Sequence, residues 1–129
     1  MRKNFVTAAP DETLDEASQT MRMARLRHLL IARGDHLVGI LSYREILEAL
    51  LERTRALPRD ARTVGNAMKQ SPAFASPQTT LAEAADRMCR YGLGCLPVLE
   101  GAPGLPADAG RLVGIITEAD LLRAAYARR

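Results

Sequence analysis

Two short stretches hold the residues best placed for chemistry. Leu37-Val38-Gly39-Ile40-Leu41-Ser42-Tyr43-Arg44-Glu45 and Leu112-Val113-Gly114-Ile115-Ile116-Thr117-Glu118-Ala119-Asp120 each run an apolar strand into a hydroxyl residue. In each, a carboxylate follows the hydroxyl three residues later. At a helix start, that spacing caps free backbone amides and places negative charge in the positive field of the helix end. Amides left over by the cap point towards whatever lies above the turn. The same atoms can therefore close a helix, hold a polar ligand, or do both.

The inventory for catalysis is poor. His28 and His36 flank one strand, with no acid or nucleophile spaced to serve them. The chain has no Gly-rich loop ending in Gly-Lys-Ser/Thr and no metal-ligand spacing. It is read as a non-enzyme that requires no cofactor. Cys89 and Cys95 fit no zinc pattern and make no disulfide framework. Both are expected as buried free thiols of a reducing cytoplasm.

A chain of 129 residues is the size of one ordinary domain. Apolar residues make up 47%, yet aromatics only 4%, and Trp is absent. The core must come from Leu, Ile, Val, Ala and Met, which suits helices packed on sheets. The net charge is +3 and the pI about 9.2, a mild basicity compared with the clustered footprint of a nucleic-acid binder. Basic Met1-Arg2-Lys3-Asn4 is followed by no apolar stretch, and no segment approaches the roughly 18 apolar residues of a membrane span. No signal peptide and no membrane span are expected, and the location is read as cytoplasmic.

The elements that position the two turns are duplicated. A shift of 67 residues lays Pro10 on Pro77, Thr13 on Thr80, Leu14 on Leu81, Glu16 on Glu83, Met21 on Met88 and Leu29 on Leu96. After an eight-residue insertion the shift becomes 75, and Ser42 and Glu45 fall on Thr117 and Asp120. Each copy reads as β-α-β-β-α. An extended piece (Phe5 to Ala8, then Ala73 to Ala75) leads to a capping box, Thr13 with Glu16 and Thr80 with Glu83. Helices follow with Leu14, Ala17 and Met21, and with Leu81, Ala84, Ala85 and Met88, on one face. Met21, Met23, Met68 and Met88 read as core filler. Strands His28–Ala32 and Cys95–Leu99 come next, and Pro97 places the second at an edge. Gly34-Asp35 makes a tight turn in copy one, while Glu100 to Gly110 forms a long Gly- and Pro-rich loop in copy two. The last strand then leads to a helix from Tyr43 to about Leu57, or from Glu118 to about Tyr126. The division read from this pattern is 1–57 for the first repeat, 58–67 for a linker and short lead-in helix, and 68–129 for the second repeat. Two small sheets packed on each other with helices outside make an α/β (α+β) fold of two β-α-β-β-α repeats.

Pro-x-x-Thr-Leu-x-Glu-Ala, Leu-Pro-Val-Leu and Leu-Val-Gly-Ile-Ile-Thr-Glu-Ala-Asp-Leu-Leu, in that order, resemble a tandem pair of CBS domains, a Bateman module, over nearly the whole chain. The resemblance implies a pseudo-twofold pair that senses AMP, ADP, ATP or S-adenosylmethionine in clefts between repeats and assembles as a homodimer. It implies that Thr117 and Asp120 contact ribose and phosphate, with Ser42 and Glu45 as their first-repeat counterparts. Glu45 stands where the family has Asp, and its extra methylene would displace the carboxylate by about an ångström or more. Leu96, Pro97 and Val98 occupy the adenine-walling position, and His28 a basic phosphate position with Cys95 as its uncharged counterpart. Arg44, in the first turn, is a further phosphate candidate. Arg22, Arg25 and Arg27 read either as a solvated face or as a phosphate contact.

Three functions are weighed on these residues. The leading one is a regulatory adenine-nucleotide sensor that shifts repeat or dimer geometry for a protein partner. Its rivals are a ligand-free dimerisation or docking scaffold, and a nucleic-acid-binding protein. The scattered charge and few aromatics speak against the last.

Overall fold

A computed structural model describes residues 5–51, 63–101 and 110–127. The expected linker around 57–62 and most of the long second-copy loop lie outside those residues. Contacts divide the chain into two compact units, one spanning Val6–Gln70 and the other taking in Ser71–Arg129.

The first unit holds β1 (Thr7–Ala8), α1 (Leu14–Ala24), β2 (His28–Arg33), β3 (His36–Ser42), α2 (Tyr43–Leu51) and α3 (Val64–Ala67). β1 runs parallel to β2, with Thr7 opposite Leu30. β2 and β3 form an antiparallel hairpin through Gly34-Asp35, where Gly34 takes φ 62°. The capping box of Thr13 and Glu16 opens α1, with the Glu16 amide 3.1 Å from Thr13 Oγ1. Leu14, Ala17 and Met21 then bury one helix face against Leu29, Ile31 and Leu41. Met23 departs from its expected core role. It is 77% exposed, because it lies half a turn from the Met21 face.

The lead-in helix α3 is part of this unit. Its Val64 amide donates to Glu12 O and its Gly65 amide to Pro10 O, each at 2.8 Å. Beyond it, Lys69 pairs its backbone with Ile40 in both directions, at 2.7 and 3.0 Å. That close approach accounts for the glycine of Leu-Val-Gly-Ile in copy one. A Cβ on Gly39 would come 2.6 Å from Met68 Sδ and 3.1 Å from Lys69 O.

The second unit holds α4 (Leu81–Tyr91), β4 (Cys95–Glu100), β5 (Arg111–Thr117) and α5 (Glu118–Ala127). The extended piece expected at Ala73–Ala75 narrows to one residue, Ala75, bridged in parallel to Val98. Ala75 N donates to Pro97 O, and Leu99 N to Ala75 O, each at 2.8 Å. The ring nitrogen of Pro97 points the same way as its carbonyl, towards this short bridge and away from β5. A strand tolerates a missing donor on that side. Ala84 and Met88 pack on Leu96, Val98 and Ile116. Leu81, the counterpart of buried Leu14, is 39% exposed.

The duplication extends to irregularities. The β2–β3 register shifts at Ile31/Ala32 and the β4–β5 register at Val98/Leu99, the same place in each copy. Both α1 and α4 end on a left-handed residue, Arg25 at φ 56° and Gly92 at φ 64°. The next amide then returns to the helix, Leu26 N to Met21 O and Leu93 N to Met88 O, both at 2.8 Å. A side chain pays steric strain in that conformation and glycine does not. Arg25→Gly should therefore stabilise the chain by about 0.5–1 kcal/mol, read as a higher urea midpoint.

Candidate strand-to-helix sites

β5 delivers Thr117 to the end of its ladder, directly opposite Cys95, and α5 begins at the next residue. The Thr117 amide and hydroxyl both donate to Asp120 Oδ2 at 2.9 Å. The Asp120 amide donates back to Thr117 Oγ1 at 3.3 Å. This is a capping box at full closure. The other carboxylate oxygen, Oδ1, faces Arg123 Nη2 at 3.5 Å, and the Asp120 side chain is only 14% exposed. Strand alternation puts Thr117, Ile115, Cys95 and Pro97 on one face of the ladder. Leu96 and Val98 lie on the opposite face, within the core under α4. Of the three apolar residues singled out from the sequence, Pro97 alone shares the hydroxyl's face.

The first-unit turn has the same plan. Ser42 stands opposite His28, and Ile40 opposite Leu30, on the face away from α1. The Ser42 amide and hydroxyl both donate to Glu45 Oε1 at 2.7 Å. The displacement expected of the longer side chain does not occur. Glu45 folds back and meets the same two atoms that Asp120 meets. It is 7% exposed, and its second oxygen lies 3.9 Å from Lys69 Nζ. Arg44 is 82% exposed and aims at Glu48, with Nε 3.8 Å from Oε1. His28 is half-buried beside Ser42. Arg22, Arg25 and Arg27 are exposed.

Two cations beside these carboxylates were not singled out from the sequence. Arg123 is legible in hindsight, since an acid and a base three apart on a helix are neighbours. Lys69 is 24 positions from Glu45, and only the backbone bridge to Ile40 brings it there. The cysteines also part company. Cys95 is buried as expected, but Cys89 is exposed on α4. Burial, with a smaller contribution from the charge of Glu118, pushes the Cys95 thiol up from 9.0 to about 12. A raised acid pKa means that the folded state keeps a proton which the unfolded state loses. The contribution of this thiol to stability is full below pH 9 and is lost as pH rises from 9 towards 12. At pH 8, Ellman's reagent should label one thiol per folded chain, Cys89, and two in guanidinium.

Among the described residues no group of His, Cys, Asp and Glu could hold a metal ion, and no helix is long and apolar enough to cross a membrane. What remains is a repeated α+β unit whose last strand ends in a hydroxyl-carboxylate turn. The CBS domain family model matches residues 1–52 and 64–127. The chain belongs to the CBS domain family. It is 29% identical over 119 residues to inosine-5'-monophosphate dehydrogenase of Korarchaeum cryptofilum, which covers 92% of this chain but 22% of that enzyme. Among solved structures it is similar to the CBS domain pair of protein MJ0100 in complex with 5-methylthioadenosine and S-adenosyl-L-methionine. That likeness has TM-score 0.81 and 24% identity, over 100% of this chain and 94% of that one. It is also similar to CBSX2 in complex with AMP, with TM-score 0.76 and 25% identity, over 99% and 92%.

Proposed function

We propose that the chain is a regulatory module that binds an adenine nucleotide at its hydroxyl-carboxylate turns. Binding favours one geometry of the repeats, or of a homodimer, and a protein partner reads that geometry. The observation that carries this reading is the Thr117–Asp120 turn. A nearly buried carboxylate is held rigid by its own helix start, at the end of β5, and the buried Pro97 of the neighbouring strand β4 lies on the same face of the ladder. A fixed charged acceptor of this kind suits the 2′- and 3′-hydroxyls of ribose. The AMP held by the similar CBSX2 supports the ligand class. A nucleotide works as a switch only through a difference in affinity between two states.

A second reading is favoured by one observation. Both carboxylates already satisfy their own turns and each faces a cation, as a scaffold that binds nothing would also arrange. Calorimetric titration with AMP, ADP, ATP and S-adenosylmethionine separates the two. Saturable heat for at least one supports the nucleotide reading. Silence for all four at about millimolar ligand supports the scaffold.

A further inference from the structure

The two units differ at the start of their first long helix. In the first unit α3 lies across the start of α1. Its Val64 amide donates to Glu12 O and its Gly65 amide to Pro10 O, each at 2.8 Å. Val64 is fully buried, in the same core cluster as Leu14 and Ala17. Glycine comes next because the backbones nearly touch. A Cβ on Gly65 would come 3.1 Å from Pro10 O. The second unit repeats the surface that α3 covers. Thr79 N donates to Ser76 O at 3.0 Å, as Glu12 N does to Ala9 O at 3.1 Å. Thr80 Oγ1 accepts from Glu83 N at 3.1 Å, as Thr13 Oγ1 does from Glu16 N. Pro77 O and Thr79 O therefore stand where Pro10 O and Glu12 O stand. Yet among the described residues the second unit has no counterpart of α3, and nothing donates to either carbonyl. Pro77, Thr80 and Leu81 are exposed, where Pro10 and Thr13 are half-buried and Leu14 is buried.

We propose that this exposed rim of the second unit docks a short helix of α3 chemistry carried by a partner protein. The first unit supplies the template for the occupant. Two consecutive amides at a helix start meet Thr79 O and Pro77 O, since such amides have no partner inside their own helix. A β-branched apolar side chain at the first helical position covers Leu81. Glycine comes second, where a side chain would press on Pro77 O. Charge is excluded from the first position, because that side chain is desolvated against Leu81. The partner is thus recognised by a Val-Gly or Ile-Gly helix start. Its backbone bonds set the register, and its apolar plug supplies most of the affinity. The rim lies at the start of α4 and uses no atom of the Thr117 turn, so docking there needs no nucleotide.

A synthetic peptide of residues 63–70, blocked at both ends, carries the template and serves as the probe. It is titrated into the full-length chain, with amides at the starts of α1 and α4 followed individually by NMR. Saturable shifts are expected at Thr79, Leu81 and Ala82, with a Kd of about 1 mM for so short a segment. The α1 amides should stay still, because α3 already occupies that place. A peptide with Val64→Asp, and the chain with Leu81→Asp, should each weaken binding by about tenfold or more. Leu81 is 39% exposed, so the chain variant should keep the wild-type spectrum elsewhere. No saturable shift with about 5 mM peptide would overturn the docking site. Undiminished binding by the Val64→Asp peptide or by the Leu81→Asp chain would do the same. Shifts at α1 instead of α4 would show exchange with the chain's own α3, and would also overturn it. Shifts at Leu81 that grow with chain concentration before any peptide is added would give the rim to a second copy and remove the partner from it.

Discussion

Asp120→Ala should weaken AMP binding by about tenfold or more, because a hydrogen bond to a charged acceptor is worth roughly 1.5–3 kcal/mol. The same change removes the carboxylate that accepts from the Thr117 amide and hydroxyl at 2.9 Å. A lost cap costs about 1 kcal/mol, a few degrees of melting temperature for a chain of this size. The two effects are separable. Asp120→Asn keeps an oxygen that can accept from the turn but gives up the charge that ribose would use. It should melt close to the wild type yet bind AMP markedly less well in calorimetric titration. If both variants lower the melting point and leave affinity untouched, the turn is a cap and nothing more.

Leu96→Ala should cost about 2–5 kcal/mol, the largest stability effect expected here. Leu96 is 0% exposed and fills the core of the second unit with Val98, Ile116 and Met88. Truncation loses the transfer energy of the removed atoms and leaves a cavity that the rigid ladder cannot close. Leu81→Ala in the same unit should cost far less, since Leu81 is 39% exposed although its counterpart Leu14 is buried. Urea denaturation at unchanged slope measures both. A cost for Leu96→Ala below that for Leu81→Ala would mean that the side chain does not face α4.

Much of this arrangement was legible in the residues themselves. Period and punctuation recur together, so Thr13 with Glu16, the His28 strand, the Gly34 turn and the strand-to-helix boundary at Ser42 and Thr117 could all be placed before any coordinate. Such features are local, because a capping box or a tight turn is set by residues within a few positions. The misses are of another kind. The Ala73–Ala75 piece shrank to a single bridged residue, because a strand's length depends on what lies beside it. Met23 and Cys89 lie on exposed helix faces, where an apolar letter says nothing by itself about burial.

The site divides along the same line. Thr117, Asp120, Ser42 and Glu45 were readable from spacing, and each pair does close on itself. That Glu45 folds back to the contacts of a shorter Asp was not readable, because side-chain length does not reveal the rotamer chosen. The family resemblance put Leu96 and Val98 with Pro97 at the adenine-walling position. Strand alternation separates them, and only Pro97 shares the face of Thr117. Lys69 required a long-range bridge, the β3 pairing at Ile40, that no local pattern announces.

Native mass spectrometry of the wild-type chain titrated with AMP addresses the central claim most directly. The account predicts saturable addition of the mass of AMP, with the adduct strongly reduced in Asp120→Ala. A wild-type chain that takes up no AMP at about millimolar concentration, or an adduct that Asp120→Ala leaves unchanged, would contradict it.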